Sequence, residues 1–260
     1  MSGIRDVQVP AVRRAAAILR LLASRAEPLP AGTIARELEL PRSTIYHLLA
    51  ALADDGFVVH LPAQRRWGLG VTAFEIGSAY LRHDPLERLA DPVLTRLTGQ
   101  VRQTAHLGIL HGRETLYLLK REPARPVALV TAVGVRLPAQ LTASGRAMLG
   151  GLPDAQVRAL FPAAEAFVSR TGQGPASLSA LRAALAEDRE RGWAEEDGLV
   201  TDGIASVAAA VFDHTGRPLA AVGVTFRSAS ADRADRRALA AAARQAANRI
   251  TRHLNPSEVR

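Results

Sequence analysis

Leu40-Pro41-Arg42-Ser43-Thr44-Ile45-Tyr46-His47-Leu48-Leu49-Ala50-Ala51-Leu52 decides how the N-terminal part of this chain folds. Ile45, Leu48, Leu49 and Leu52 recur at i, i+3, i+4 and i+7, the spacing of a single helical face, and predict a helix buried along that side. Arg42, Ser43, Tyr46, His47 and Ala50 then fall largely on the opposite side. Pro41 suits the first turn, where its missing N–H would be unpaired in any case. Asp54-Asp55-Gly56 ends the helix.

The flanking sequence adds a pattern to both sides. Upstream, Ala15, Ile18, Leu19 and Leu22 form the apolar stripe of a first helix. After the break Glu27-Pro28-Leu29-Pro30, residues Ala31 to Leu38 make a short second one with Ile34, Ala35 and Leu38 on one face. Downstream, Phe57 to Leu61 and Trp67 to Leu69 are extended runs around Pro62-Ala63-Gln64-Arg65-Arg66, a hairpin with a basic tip. Three helices followed by a two-stranded wing, in this order, predict a winged helix-turn-helix. The major groove of B-DNA admits one α-helix, so a reader needs a helix buried on one side and carrying donors on the other. Arg42, Ser43, Thr44, Tyr46 and His47 are therefore candidate contacts to bases or phosphates. Arg65 and Arg66 are candidate contacts of the wing to the DNA backbone or minor groove.

Composition is consistent with an anionic partner and narrows the alternatives. The 260 residues carry 33 Lys+Arg against 25 Asp+Glu, formally +8, and Lys120 is the only lysine. The absence of cysteine excludes disulfides, thiolate zinc sites, iron–sulfur clusters and a Cys nucleophile. No apolar run reaches the length of a bilayer span, so no membrane partner is expected. Met1 to Pro10 mixes Arg5, Asp6 and Gln8 and lacks the apolar region of a secretory signal, which predicts a cytoplasmic protein.

Residues 71–83 read as a linker helix, with His83-Asp84-Pro85 a boundary, so the division expected is 1–70, 71–83 and 84–260. The last part mixes helices and strands. A helix from Asp84 to Val101 precedes a hairpin of Thr104–Leu110 and Thr115–Lys120, and Val127–Val133 reads as a third strand. Short helices are expected at Ser144–Gly150 and Ala155–Leu160 and a longer one at Ser177–Arg191. Ile204–Phe212 and Pro218–Phe226 form a late hairpin, and a helix from about Ala231 to His253 closes the chain. The fold class expected is α+β.

The Pro41 to Leu52 segment with Gly56-Phe57-Val58 resembles the recognition-helix signature of IclR-type transcriptional regulators. Leu137-Pro138-Ala139-Gln140-Leu141-Thr142-Ala143-Ser144-Gly145-Arg146, and Arg191-Gly192-Trp193-Ala194-Glu195-Glu196-Asp197-Gly198 followed by Gly203, Ser206-Val207-Ala208-Ala209 and Val211-Phe212-Asp213, resemble later segments of the same family. The likeness runs from about Val9 to Leu254. Four positions depart from the pattern. His47 stands where Arg is usual, Glu39 where a turn Gly is usual, Leu199 where Glu often follows Asp-Gly, and Ala210 where Pro often precedes Val.

What the resemblance implies is a GAF-like effector-binding domain over 84–260 that holds a small organic effector, often an acid, and a homo-oligomer, dimer or tetramer, acting on double-stranded operator DNA. The candidate effector contacts are Ser144 and Gly145 at a helix start with free N–H groups, Glu196 and Asp197 on a loop, and Ser206 and Thr225 on the two late strands. No cofactor and no metal are expected. His106 and His111, with Glu114, make only a weak ligand pattern, and a hairpin histidine pair is read as surface decoration.

Two other classes are weaker on the sequence. A small-molecule-processing enzyme would be expected to carry a nucleophile elbow around Ser144, an H-E-x-x-H helix or a Gly-rich phosphate loop, and none is present. A winged helix serving as a protein-interaction module would present an apolar face where this chain places Arg42 to His47.

Overall fold

Pro10 opens helix α1 (Pro10–Ala23), which turns Ile18 and Leu22 inward. The computed structural model describes residues 9–25, 27–76 and 85–254. The chain divides into two units, Met1–Asp84 and Pro85–Arg260. In the first, α2 (Ala31–Glu37) and α3 (Arg42–Asp54) are joined by a tight turn. There Glu39 takes a left-handed φ of 52° and the Leu40 N–H donates to the Ala35 carbonyl at 3.0 Å. Ile18, Leu22, Ile34, Ala35, Ile45, Leu49 and Val58 make the core. Ile45 and Leu49 are fully buried, and each contributes on the order of 1.5–3 kcal/mol to holding α3 in place.

Strands β1 (Val58–Leu61) and β2 (Arg66–Leu69) pair antiparallel, from Val58 opposite Leu69 to Leu61 opposite Arg66. A 3₁₀ turn over Pro62–Gln64 joins them, and Arg65 at φ 51° reverses the chain. Leu29 bridges to Trp67 through two backbone hydrogen bonds of 2.9 and 2.8 Å, which fastens the wing to the segment between α1 and α2. A helical run over 71–76 follows, labelled α4. The rest of the expected 71–83 linker helix lies outside the described residues.

The second unit is built on a six-stranded antiparallel sheet of order β5-β4-β3-β8-β7-β6. Its strands are β3 (Thr104–His111), β4 (Glu114–Arg121), β5 (Arg136–Pro138), β6 (Ala194–Asp197), β7 (Ile204–Phe212) and β8 (Pro218–Arg227). Alternation decides what each face meets. Ala205, Val207, Ala209 and Val211 of β7 and Val222, Val224 and Phe226 of β8 pack with Leu94 and Leu97 of α5 (Pro85–Val101) and with Ala243, Ala247 and Ile250 of α9 (Arg233–Leu254). The other face carries small and polar residues, Ser206, Ala208, Gly223 and Thr225. Against it lies α6 (Ala143–Gly150), followed by α7 (Asp154–Leu160) and backed by α8 (Leu178–Arg191). A Cβ on Gly223 would stand 2.7 Å from Ser144 Oγ, so the absence of a side chain at 223 is what admits α6 so closely.

Two expectations are corrected. Val127–Val133 is irregular rather than a strand. It follows Pro126, it exposes Val130 and Val133, and the Tyr117 backbone bonds instead to Gly134 and Val135. Glu196 and Asp197 lie on edge strand β6, not on a loop. Ladder bonding to β7 places their side chains on opposite faces, so only Glu196 is buried.

Candidate functional site

Helix α3 is one-sided. Ile45 and Leu49 point inward, Arg42, Ser43, Tyr46 and His47 are exposed, and Thr44 is half-buried. Tyr46 keeps 54% of its surface in solvent although it is the largest side chain of the helix. The Arg42 guanidinium lies beside Gly32 in the first turn of α2, at the junction of the two helices. The wing separates its two arginines. Arg65 is exposed at the turn, whereas Arg66 donates to Glu27 Oε2 at 3.1 Å and to the Pro28 carbonyl at 3.2 Å. Arg66 thus also fastens the wing to the segment before α2, a role its spacing next to Arg65 does not reveal.

In the second unit a row of polar side chains crosses the α6 face of the sheet. Glu196 pairs in register with Ser206, Ser206 with Thr225, and Thr225 with Thr104. The Ser206 and Thr225 hydroxyls are 3.0 Å apart. The Glu196 carboxylate accepts from the Leu199 N–H at 3.1 Å and is bonded to Ser206. Burial nevertheless pushes its pKa up to about 7. Thr104 Oγ1 is buried and lacks a hydrogen-bond partner. Glu196, Ser206, Thr225, Tyr117, Thr142 and Thr131 line a cavity of about 20 Å³, closed by Leu129 and Val130 of the irregular segment and by Val200 and Ile204. That volume is room for about one water molecule.

Of the candidate effector residues, the fold brings Glu196, Ser206 and Thr225 together and sets Ser144 just behind them, bonded to Tyr117. It does not add Gly145 or Asp197. The Gly145 N–H is taken by its N-cap, Thr142 Oγ1, at 2.9 Å, and a Cβ there would meet the Ala139 carbonyl oxygen at 2.2 Å. Gly145 is a close-packing position rather than a free donor. Asp197 is exposed and pairs with Arg236 and with the Ser228 hydroxyl, both at 2.8 Å.

The sequence reading missed Tyr117, Thr142, Thr131, Thr104 and His106. Tyr117 is buried, and burial raises its pKa, with the charge of Glu196 acting in the same direction. His106 is not surface decoration. It is buried, its Nε2 lies 2.8 Å from Thr131 Oγ1, and its ring centroid is 5.2 Å from that of Tyr117. Desolvation, followed by the charge of Lys120, lowers its pKa to about 3, so the ring is neutral near pH 7. The available signal was strand alternation, which puts His106, Thr104 and Tyr117 on a sheet face opposite the aliphatic one.

The family model described as the IclR helix-turn-helix domain matches residues 11–62, and that described as the bacterial transcriptional regulator IclR C-terminal matches residues 78–252. The chain is 31% identical over 227 residues to the HTH-type transcriptional regulator XynR of Escherichia coli, covering 87% of this chain and 90% of that one. Among solved structures, an IclR transcriptional regulator from Alicyclobacillus acidocaldarius superposes with a TM-score of 0.85 at 23% identity, over 95% of this chain and 100% of that one. An IclR homologue from Microbacterium hydrocarbonoxydans, complexed with 4-hydroxybenzoate, superposes at 0.80 with 21% identity, over 95% and 100%.

Proposed function

The chain belongs to the IclR family of bacterial transcriptional regulators, and on that footing we propose which of its residues read DNA and which sense the effector. It is a DNA-binding regulator whose helix-turn-helix unit acts on an operator and whose second unit binds a small molecule. The exposed face of α3 enters the major groove, with Arg42, Ser43, Thr44, Tyr46 and His47 toward bases and phosphates and Arg65 of the wing on the backbone. The observation that carries this is the one-sided burial of α3, with Ile45 and Leu49 fully enclosed and Tyr46 and His47 in solvent.

The effector site is the cavity lined by Glu196, Ser206, Thr225 and Tyr117. A carboxyl group that holds its proton up to about pH 7 and three hydroxyl-bearing side chains favour a ligand that offers hydroxyl groups as well as an acid group, which the protonated Glu196 and the hydroxyls can donate to, the chemistry of a hydroxylated organic acid. The neighbouring structure bound to 4-hydroxybenzoate is of that class. At about 20 Å³ the cavity must widen to admit a ring, and the irregular residues 129–131 together with Val200 and Thr201 of the β6–β7 loop are parts of its wall outside the sheet and helices. The protein acts in the cytoplasm, as a dimer or tetramer, and without enzymatic activity. Two recognition helices about 34 Å apart suit successive major grooves on one side of the duplex. Among the described residues no helix is long and apolar enough to cross a membrane.

Fluorescence anisotropy of the full chain on duplexes from its own promoter region tests the DNA reading. Binding that falls steeply with salt, and that Arg42→Ala weakens by about 1–3 kcal/mol on the best duplex while blurring preference at one position, supports base reading by Arg42. Weakening shared equally by all duplexes makes Arg42 a phosphate contact. Indifference to every duplex at low salt defeats the assignment of the α3 face.

A further inference from the structure

We infer that the second unit carries an anion-binding groove separate from the effector cavity, formed by α9, the C-terminus of α8 and the start of β6, and that its ligand is a small polyanion bearing phosphate or several carboxylate groups. The groove encloses about 710 Å³ and is lined by five arginines against two acids, Glu195 and Asp232, with Trp193 in its wall. Positions 233, 236, 237, 241 and 244 of α9 face it, a stripe dictated by helical spacing, with Ala241 leaving the floor open.

The five cations fall into two sets. Arg236 is pinned to Glu195 at 2.8 Å and to Asp197 at 2.8 Å. Arg191 is paired with Asp188 and lies over the Trp193 ring, 4.9 Å from its centroid. These two are fixed walls whose charge is already balanced. Among the described residues, the side chains of Arg233, Arg237 and Arg244 have no ion-pair or hydrogen-bond partner. Of the two lining acids, Asp232 caps α9 by accepting from the Ala234 and Asp235 N–H groups, and Glu195 is held by Arg236, so neither forms an ion pair with the three.

Three unpaired guanidiniums on one face of a rigid helix repel one another unless something negative lies between them. Guanidinium forks match carboxylate and phosphate oxygens two at a time, which lysines do not. The span also limits the ligand. Residues 233 and 244 are about 16 Å apart along the helix axis, too far for a single monovalent anion to satisfy all three, and within reach of an extended polyanion given the length of arginine side chains.

Isothermal titration calorimetry of the full chain with sodium triphosphate and with propane-1,2,3-tricarboxylate, which has no hydroxyl group, at about 150 mM salt, tests this inference. One triphosphate or tricarboxylate per chain is expected, and the tighter of the two tells phosphate from carboxylate. The double variant Arg237→Gln, Arg244→Gln is expected to lose at least tenfold in affinity. Arg217→Gln on the exposed β7–β8 turn and Ser206→Ala in the effector cavity should leave it unchanged. Arg237 and Arg244 are exposed and unpaired, so the melting temperature should barely move; Arg233→Gln alone, with a smaller loss, checks the same face should the double variant fold poorly. No heat with either anion overturns the inference. So does equal binding by the double variant, or a variant whose only change is its sedimenting mass, which would make the groove a contact between copies of the chain. Failure of the effector reading would appear in the Ser206 variant and leave these outcomes untouched.

Discussion

The Ser206 and Thr225 hydroxyls meet at 3.0 Å across directly paired positions of β7 and β8, beside the buried carboxyl of Glu196. Each can turn toward a ligand without moving the backbone, because a hydroxyl rotor both donates and accepts. Ser206→Ala leaves the sheet and α6 in place, and removes one rotor and one partner of Glu196. The expected result is a five- to tenfold weaker effector response, about 1–1.5 kcal/mol, with unchanged operator affinity in the absence of effector. An effector titration of operator binding by anisotropy reads both quantities in one experiment. A variant that fails to fold would assign Ser206 to structure.

Glu196 gives this site a pH dependence of known sign. The folded chain holds its proton up to about pH 7, whereas the unfolded chain releases it near 4.5. Stability from this group is therefore full below the lower value and is lost as pH rises through the upper one. Glu196→Gln keeps an oxygen for the Leu199 N–H and has no charge to desolvate. It should raise the melting temperature by several degrees at pH 8, roughly 2–3 kcal/mol, and change it little at pH 4.5. His106 acts with the opposite sign between about pH 3 and 6.5, because its unfolded state takes up the proton first. Comparing variant with wild type at each pH cancels that contribution. Equal melting curves at pH 8 would show that Glu196 is solvated.

The two arginines of the wing should separate experimentally. Arg65 is exposed at the turn, and Arg66 is tied to Glu27 and to the Pro28 carbonyl. Arg65→Ala should reduce the slope of log affinity against log salt by about 1, the value for one lost phosphate contact. Arg66→Ala should alter that slope less and should loosen the wing instead, visible as faster amide exchange at Leu29 and Trp67, whose backbones bridge the two segments. Equal slope changes would mean that Arg66 leaves Glu27 when DNA binds.

Local periodicity carries further in some parts of this chain than in others. The α3 stripe was legible because Ile45 and Leu49 repeat at helical spacing and nothing distant overrides them. The Glu39 turn was legible as a departure from a glycine, and its φ of 52° is the backbone that departure strains. The cavity was legible only in part. Ser206, Thr225 and Glu196 lie next to each other because β6, β7 and β8 pair in register, and register is a property of the whole sheet. Tyr117 arrives from β4, distant in sequence, with no motif to mark it. Gly145 misled because a glycine at a helix start suits either an anion or a close approach, and only the Ala139 carbonyl beneath it decides. Val127–Val133 misled because its apolar residues cover the cavity instead of pairing with β4.

Arg146 joins the helices that support this site, and its burial makes it the most consequential ion pair in the second unit. Its Nε donates to Asp188 Oδ2 at 2.9 Å and its Nη2 to Asp188 Oδ1 at 3.2 Å, with a further bond to the Glu195 carbonyl; the two side chains are 9% and 3% exposed. Burial raises the Asp188 pKa even though Arg146 and Arg191 both oppose the shift, so the carboxylate depends on its cations. Arg146→Ala should therefore cost about 3–5 kcal/mol, since it leaves a charge enclosed without its main partner. The loss should deepen as pH rises and shrink in mild acid, where Asp188 takes a proton. Replacing both partners with apolar residues of similar volume, Arg146→Met with Asp188→Leu, should recover most of that loss, because desolvation of the pair offsets much of its attraction. Urea unfolding of the three proteins at two pH values measures the outcome. A double variant as unstable as Arg146→Ala would show that the contacts beyond the pair, the Arg146 bond to the Glu195 carbonyl at the edge strand that carries Glu196 and the Arg191 bond to Asp188, are the ones the fold requires.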